Sequence, residues 1–222
     1  MSKTNLVCFM VILYFFGPDG AGKSTLTKAL AEKAHKRGYK IKLSWMRGSH
    51  TFASLTAKIL KRFDTFKGSE NPYYNIKIPR KMKRFWQSIE FLSALPIIIS
   101  EFLFPSLIGY QVLADRYTLD LAVWICLTTR DYSFLKRFEA KVLIALSMKT
   151  NAKFYVTTNV EELKRRTGKS WFSKEQLRLY YKLAETVDAH TIDTTNKSVD
   201  ESLQEVLTVL KEVCPKIELR ND

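Results

Sequence analysis

The sequence is short of the side chains that build metal centres and disulfide frameworks. Its three cysteines, Cys8, Cys126 and Cys214, are odd in number, far apart and outside any C-x-x-C arrangement. That excludes a cystine scaffold or a cysteine zinc site as the organising feature and fits a reducing cytoplasm. The three histidines, His35, His50 and His190, have no metal-ligand spacing either. Acidic residues are outnumbered, 22 against 36 Lys and Arg, for a formal net charge of +14. Such a balance suits phosphate-bearing ligands, nucleic acid or an acidic membrane surface, and equally a Lys-rich surface that serves solubility. No regular basic-aromatic interleaving accompanies the charge, which argues against nucleic acid as a partner. Uninterrupted apolar runs of spanning length are missing too. The longest apolar stretch, residues 91–113, is broken by Pro96, Glu101, Pro105 and Gly109, so it reads as a soluble buried helix and a strand, with no membrane span. The apolar residues 6–16 lack a small-residue cleavage site and run directly into a glycine loop, so they read as a first strand rather than a secretory signal. Repeats and low-complexity tracts are absent, and 222 residues with 46% apolar content suit a single domain, 1–222.

What is present is a phosphate-cradling pattern. Gly17-Pro18-Asp19-Gly20-Ala21-Gly22-Lys23-Ser24-Thr25 matches G-x-x-x-x-G-K-[ST] in full. A continuous apolar run, residues 10–16, leads in like a buried parallel strand, and an amphipathic helical stretch, residues 26–37, leads out. In that context the glycines let backbone N–H groups turn inward around an anion, and the following helix presents its positive end to it. Lys23 then supplies a point charge to the β and γ phosphates, and Ser24 a hydroxyl for magnesium.

Downstream, Gly38 reads as the stop of the first helix and residues 41–45 as a second strand. Arg47-Gly48-Ser49-His50 follows at the strand's C-terminal end, where ligands collect in open α/β sheets. Residues 52–63 read as a helix, 64–79 as a loop, and the region from Pro79 as a long helix with a basic start, Arg80-Lys81-Met82-Lys83-Arg84. That cluster is either a solvated first turn or an acceptor clamp. Residues 111–114 form a strand ending in Asp115, a second acidic site facing the phosphate loop. Helices at 119–127 and 134–148, a strand at 153–157, helices at 161–166 and 174–187, a strand at 191–193 and a closing helix at 199–213 complete the chain. Alternation of this kind predicts a parallel sheet covered on both faces. Arg165, Arg166 and Lys169 form a basic cluster near a glycine, open to reading as a solvated helix end or a phosphate-binding lid. Trp86, Phe91 and Trp124 are open to reading as core or as a base-stacking platform.

With the glycine loop, the triplet Asp115-Arg116-Tyr117 after a strand and Ile192-Asp193 before the last helix, the sequence resembles the thymidylate kinase family of P-loop nucleoside-monophosphate kinases. The resemblance runs over residues 10–210 and is weakest between 45 and 103. It implies a three-layer P-loop NTPase fold with a five-stranded parallel sheet, ATP with Mg2+, acceptor-binding helices at about 46–110, a short lid at about 164–174 and a homodimer, whose seam the apolar helix 91–104 could provide. By the same resemblance Gly17 to Thr25 bind ATP and Asn196 packs its adenine. Ser24 and Asp115 hold the metal, the latter through water. Asp19, Arg47, Arg116, Tyr117 and Trp124 meet the acceptor. Lys23, Arg116 and the lid residues Arg165, Arg166 and Lys169 carry catalysis. The implied reaction is phosphoryl transfer to a nucleoside monophosphate, dTMP first. The family's Arg-Glu-Pro segment is replaced by Trp45-Met46-Arg47-Gly48, its acceptor-facing polar stretch by Ser93-Ala94-Leu95-Pro96-Ile97, and its Ala-Tyr-Gln by Val123-Trp124-Ile125. A same-fold kinase for another phosphorylated or sugar-like acceptor, a nucleotide-switched nucleic-acid-binding protein and an inert relative therefore stand as alternatives.

Overall fold

The computed structural model describes residues 11–48, 50–167 and 174–213. In chain order the elements are β1 (Val11–Phe16), α1 (Lys23–Lys36), β2 (Ile41–Trp45), α2 (Thr51–Leu60), β3 (Lys67–Asn71), α3 (Lys83–Ile97), α4 (Phe104–Leu107) and β4 (Gln111–Asp115). They continue with α5 (Thr118–Thr129), α6 (Phe138–Met148), β5 (Ala152–Thr157), α7 (Val160–Thr167), α8 (Lys174–Thr186), β6 (His190–Asp193) and α9 (Val199–Val213). Five strands form one parallel sheet, as expected from the sequence, and their order is β2-β4-β1-β5-β6.

The apolar run of β1 is explained by its place at the centre of that sheet. Alternate side chains point to opposite faces of a strand, so Ile12, Tyr14 and Phe16 enter one core while Leu13 and Phe15 enter the other. The first core packs under α3, α5, α6 and α8, the second under α1 and α9. Each fully buried Ile, Leu or Phe contributes about 1.5–3 kcal/mol. A charge in the middle of β1 would therefore remove packing from both layers' shared wall.

The register brings the C-terminal strand ends together. Phe15 and Trp45 both pair with Asp115, which places that carboxylate directly beside the loop leaving β1. α1 ends where its last turn closes on Gly38, whose φ of 80° puts it in the left-handed region; Gly38 N–H donates to the His35 carbonyl at 2.9 Å.

Two expectations from the sequence need correction. Residues 64–79 are not simply a loop: β3 folds back on Ile76 through bridges from Lys67 and Asn71, and Asn71 Oδ1 accepts from the N–H groups of Tyr73 and Tyr74. The turn residues hid this arm because its own strand, Lys-Gly-Ser-Glu-Asn, has no β-branched or aromatic residue. The long helix from Pro79 is also not uniform. A 3-10 turn, Arg80–Met82, precedes α3, and a π-helical turn, Ile98–Leu103, follows Pro96 before α4. Proline removes one N–H and crowds the preceding turn, and widening to π geometry absorbs the mismatch. The combined run Arg80–Leu107 is long and apolar enough to cross a membrane by length and composition alone. In the fold it lies along β2, where Ser44 Oγ donates to the Glu101 carbonyl at 2.7 Å and Lys42 pairs with the Glu101 carboxylate at 2.8 Å.

Candidate active site

The loop between β1 and α1 is shaped by three glycines at positive φ: Gly17 at 137°, Gly20 at 82° and Gly22 at 93°. At Gly17 space is decisive as well, since a Cβ there would lie 2.2 Å from the Val156 carbonyl oxygen of β5. Gly17→Ala is expected to cost roughly 1–3 kcal/mol through combined strain and overlap. For a chain of this size that lowers the unfolding midpoint by roughly 2–12 °C, which a thermal melt measures.

α1 starts directly on Lys23 with no acidic residue in its first turn, leaving its N-terminal N–H groups free for an anion. Lys23 is buried and its Nζ donates to the Pro18 carbonyl. Burial, reinforced by the neighbouring Arg116 charge, pulls the Lys23 ammonium down to about 7. An anionic ligand reverses that balance, so binding of a polyphosphate should take up nearly one proton at about pH 8 and almost none below about pH 6. Titration calorimetry in two buffers of different ionisation enthalpy reads the difference.

Arg116 is the hub of a buried network. It leaves β4 at φ 77°, an unusual conformation for a non-glycine residue, which turns its side chain toward the loop. Its Nη1 donates to Asp120 Oδ1 at 2.7 Å, to Tyr180 Oη at 3.2 Å and to the Gly17 carbonyl at 3.3 Å, and its Nη2 donates to Asp19 Oδ1. Asp120 in turn accepts from Tyr14 Oη at 2.8 Å and from Tyr180 Oη at 2.9 Å. Tyr14, Asp120 and Tyr180 were missed by the sequence reading. Only local spacing hints at Asp120, four residues after Arg116 and three after Tyr117, from whose N–H it accepts at 3.3 Å; its bonds to Tyr14 and Tyr180 span 60 or more residues.

Asp19 carries the same network to a second arginine, since Arg47 Nη1 lies 3.0 Å from Asp19 Oδ2. Burial pushes the Asp19 carboxyl up, but Arg116, Arg47 and Lys23 outweigh it and hold the group below the usual carboxylate range. Arg47 also sits over the Trp124 ring, 5.4 Å from its centroid, and Tyr73 stacks on Trp124 at 4.6 Å and 23°. The indole packs so closely on Gly48 that a Cβ there would lie 2.0 Å from it.

Two cavities meet at Asp19. One, of about 410 Å³, runs along the loop past Lys23, Ser24, Thr25 and Arg116 to Arg166, Thr194, Lys197 and Ser198. The other, of about 790 Å³, is walled by Arg47, Glu70, Trp124, Arg130, Tyr132 and Gln176. Ser24 also lines a smaller cavity, about 140 Å³, together with Asp115. There Asp115 Oδ1 is buried without a hydrogen-bond partner among the described residues. A hydroxyl and an unsatisfied carboxylate oxygen fit a hard, oxygen-seeking cation.

Other expected site residues fall less evenly. Arg166 faces the loop, with Nη1 donating to Thr194 Oγ1 at 3.0 Å and to the Gly20 carbonyl at 3.4 Å. Arg165 points outward, its side chain 76% exposed and paired with Glu162 at 2.6 Å. Both arginines pair with Glu162, Arg166 through Nε at 2.8 Å, but only Arg166 also reaches the loop, since successive helical residues diverge by about 100°. Tyr117 lines neither cavity: its ring is buried edge-on to Tyr14 and against Phe102. Asn196 is exposed in the turn after β6, and Thr194, Lys197, Ser198 and Ser202 form the cavity wall around it. Lys169, the rest of the 168–173 segment of the lid, Ser49, Cys8 and Cys214 lie outside the described residues.

The fold that carries this site is shared with solved structures. A thymidylate kinase from Candida albicans superposes with a TM-score of 0.58 at 15% identity, over 96% of this chain and 95% of that one. The fold is that of the thymidylate kinases. A thymidylate kinase from Ehrlichia chaffeensis gives a TM-score of 0.50 at 17% identity, over 90% of this chain and 98% of that one. No family model matches the chain, and no curated protein matches it. Within the thymidylate kinase fold, the 790 Å³ cavity here is walled by the β3 arm and the C-terminal half of α5, not by residues 93–97. Ser93 instead anchors α2, accepting from Thr51 Oγ1 through its carbonyl at 2.7 Å and from Ala53 N–H through Oγ at 2.8 Å.

Proposed function

We propose that the protein is a nucleoside-monophosphate kinase that transfers the γ-phosphoryl group of ATP to a phosphorylated acceptor, with dTMP the first to test. The observation that carries this reading is the meeting of the two cavities at Asp19, flanked by Arg47 on one side and by Arg116 and Lys23 on the other. A polyphosphate in the loop cavity and an acceptor phosphate beside Arg47 would face each other there.

The transfer forms a P–O bond between the γ-phosphorus and an acceptor phosphate oxygen and breaks its bond to the β-bridging oxygen, yielding ADP. An acceptor phosphate is already largely ionised near neutral pH, so no strong base is required, and the barrier lies in bringing two anions together in line. Lys23, Arg116 and Arg166 supply positioned positive charge around the transferred group. Asp19 holds Arg47 and Arg116 at the junction, where an acceptor phosphate would take over their donors. Ser24 and Asp115 are the residues that would hold magnesium, which supplies charge neutralisation on the phosphate oxygens when bound. Thr194, Lys197 and Ser198 form the far end of the donor cavity, next to Asn196, where the adenine is expected. Arg165 and Lys169 remain lid candidates, and Arg166 is the one turned into the cavity.

Steady formation of ADP and dTDP from ATP and dTMP supports the reading; turnover only with a different acceptor assigns the protein to another phosphorylated or sugar-like substrate. That second reading draws on the Tyr73–Trp124 stack and Glu70, which shape a wall unlike the polar stretch that the family resemblance implies. In either case Arg47→Ala should raise the acceptor KM about 10- to 100-fold, the worth of a charge-assisted hydrogen bond, with the ATP KM unchanged. Initial-rate kinetics check both.

A further inference from the structure

We propose that the basic cleft at the start of α3 is a second anion site for the acceptor, so that the true acceptor carries an anionic group at both ends. This rests on the kinase reading above and extends it to substrate class.

Arg80, Lys81, Lys83, Arg84 and Arg130 line a cavity of about 620 Å³ in which Asp131 is the one acid. That acid is already committed: Asp131 Oδ2 accepts from Gln87 Nε2 at 3.0 Å, and Oδ1 from Ser133 N–H at 3.1 Å and Ser133 Oγ at 2.6 Å. Asp131 feels the charge of Lys83, and Arg130 reaches Glu70 at 3.9 Å, but among the described residues no carboxylate lies within ion-pairing distance of Arg80, Lys81 or Arg84. The placement opposes helix electrostatics. α3 has no acid in its first turn and no base in its last. Cations at the positive end of a helix are unfavourable, beyond their mutual repulsion. Charges needed only for solubility would sit at the other end; an anion in the cleft offsets both costs.

The cleft has a fixed frame. Gln87 is fully buried, donates to Thr129 Oγ1 at 3.1 Å and accepts from Arg137 Nη1 at 2.7 Å, tying α3 to α5 and to the start of α6. Lys83 Nζ donates to the Arg130 carbonyl at 3.3 Å, and Arg130 itself turns at φ 47°.

Arg130 also lines the acceptor cavity, so the two spaces share a wall. The 12 residues of α5 separate that wall from Arg116, a distance of about 18 Å at the helical rise. A nucleoside monophosphate with its phosphate beside Arg47 and its base within the 790 Å³ cavity leaves the cleft empty. A longer molecule with further phosphate, such as a short 5′-phosphorylated oligonucleotide, reaches it.

The test compares dTMP, 5′-phosphorylated thymidine di- and trinucleotides, and linear inorganic polyphosphate as acceptors. The expected result is a KM at least tenfold lower for an extended acceptor than for dTMP. Preference for the oligonucleotides identifies a nucleotide source of the second anion, and preference for polyphosphate an inorganic one. The Arg80→Ala/Arg84→Ala double variant should raise the extended acceptor's KM tenfold or more and leave that of dTMP unchanged. In the unaltered protein the extended acceptor's KM should climb more steeply with salt. Equal KM values across the panel, or a double variant that affects both acceptor lengths alike, overturn the proposal. If no acceptor is phosphorylated, the kinase reading fails separately. Binding of a fluorescent trinucleotide to the Lys23→Ala protein then decides the cleft: tenfold weakening on adding the double substitution supports it, and unchanged affinity overturns it.

Discussion

Replacing Lys23 by alanine should lower the transfer rate by about 100- to 1000-fold, ~2.7–4 kcal/mol of transition-state stabilisation, while leaving the protein as stable as before or slightly more so. The two halves of that expectation have one cause. In the free protein Lys23 is a buried ammonium whose hydrogen bond goes to the Pro18 carbonyl, and burial has already pulled it down to about 7. Its charge is a cost to the fold and has value only when phosphate oxygens surround it. Rates measured with saturating ATP, alongside a thermal melt, check both halves. A variant that melts normally and still transfers phosphoryl groups would remove Lys23, and the loop with it, from the chemistry.

Arg116→Ala should behave differently, losing both stability and activity. Arg116 is 6% exposed, and its guanidinium partners Asp120, Asp19, Tyr180 and the Gly17 carbonyl. Removing it strands the fully buried Asp120 carboxylate, and breaking a buried pair from one side costs about 3–5 kcal/mol. The unfolding midpoint should fall by roughly 6–20 °C. Arg116→Lys should recover only part of the loss, because an ammonium cannot repeat the forked geometry toward Asp120 and Asp19 together. A melt unchanged by Arg116→Ala would mean that the network does not hold the loop against α5. The contrast between the two variants separates a residue that the fold tolerates for chemistry from one that serves both.

Local pattern made some of this visible early. The run from Val11 to Phe16, the three glycines before Lys23 and the amphipathic α1 follow one another without a gap, so periodicity and turn chemistry alone identify a strand, a phosphate loop and a helix. Asp115 could be found because it ends an apolar strand. Arg47 and Trp124 could be marked as candidates by their position after a strand and on an apolar helix, but their mutual stacking at 5.4 Å could not. The β3 arm escaped because its residues have low strand propensity and are held by the bridges to Ile76.

The alternation of strands and helices, the phosphate loop and its lysine were thus already settled in the linear chain, because each depends on neighbours within a few residues or on a simple period; the order β2-β4-β1-β5-β6 was not. Which arginine of the pair 165 and 166 turns inward, which side chains satisfy Arg116, and which elements wall the acceptor cavity were decided only in three dimensions. Those features depend on partners far apart in sequence, such as Tyr14 with Asp120 and Arg166 with Thr194. Contacts of that kind leave no spacing to read, since packing and crossover connections, not local propensity, bring the groups within hydrogen-bonding reach.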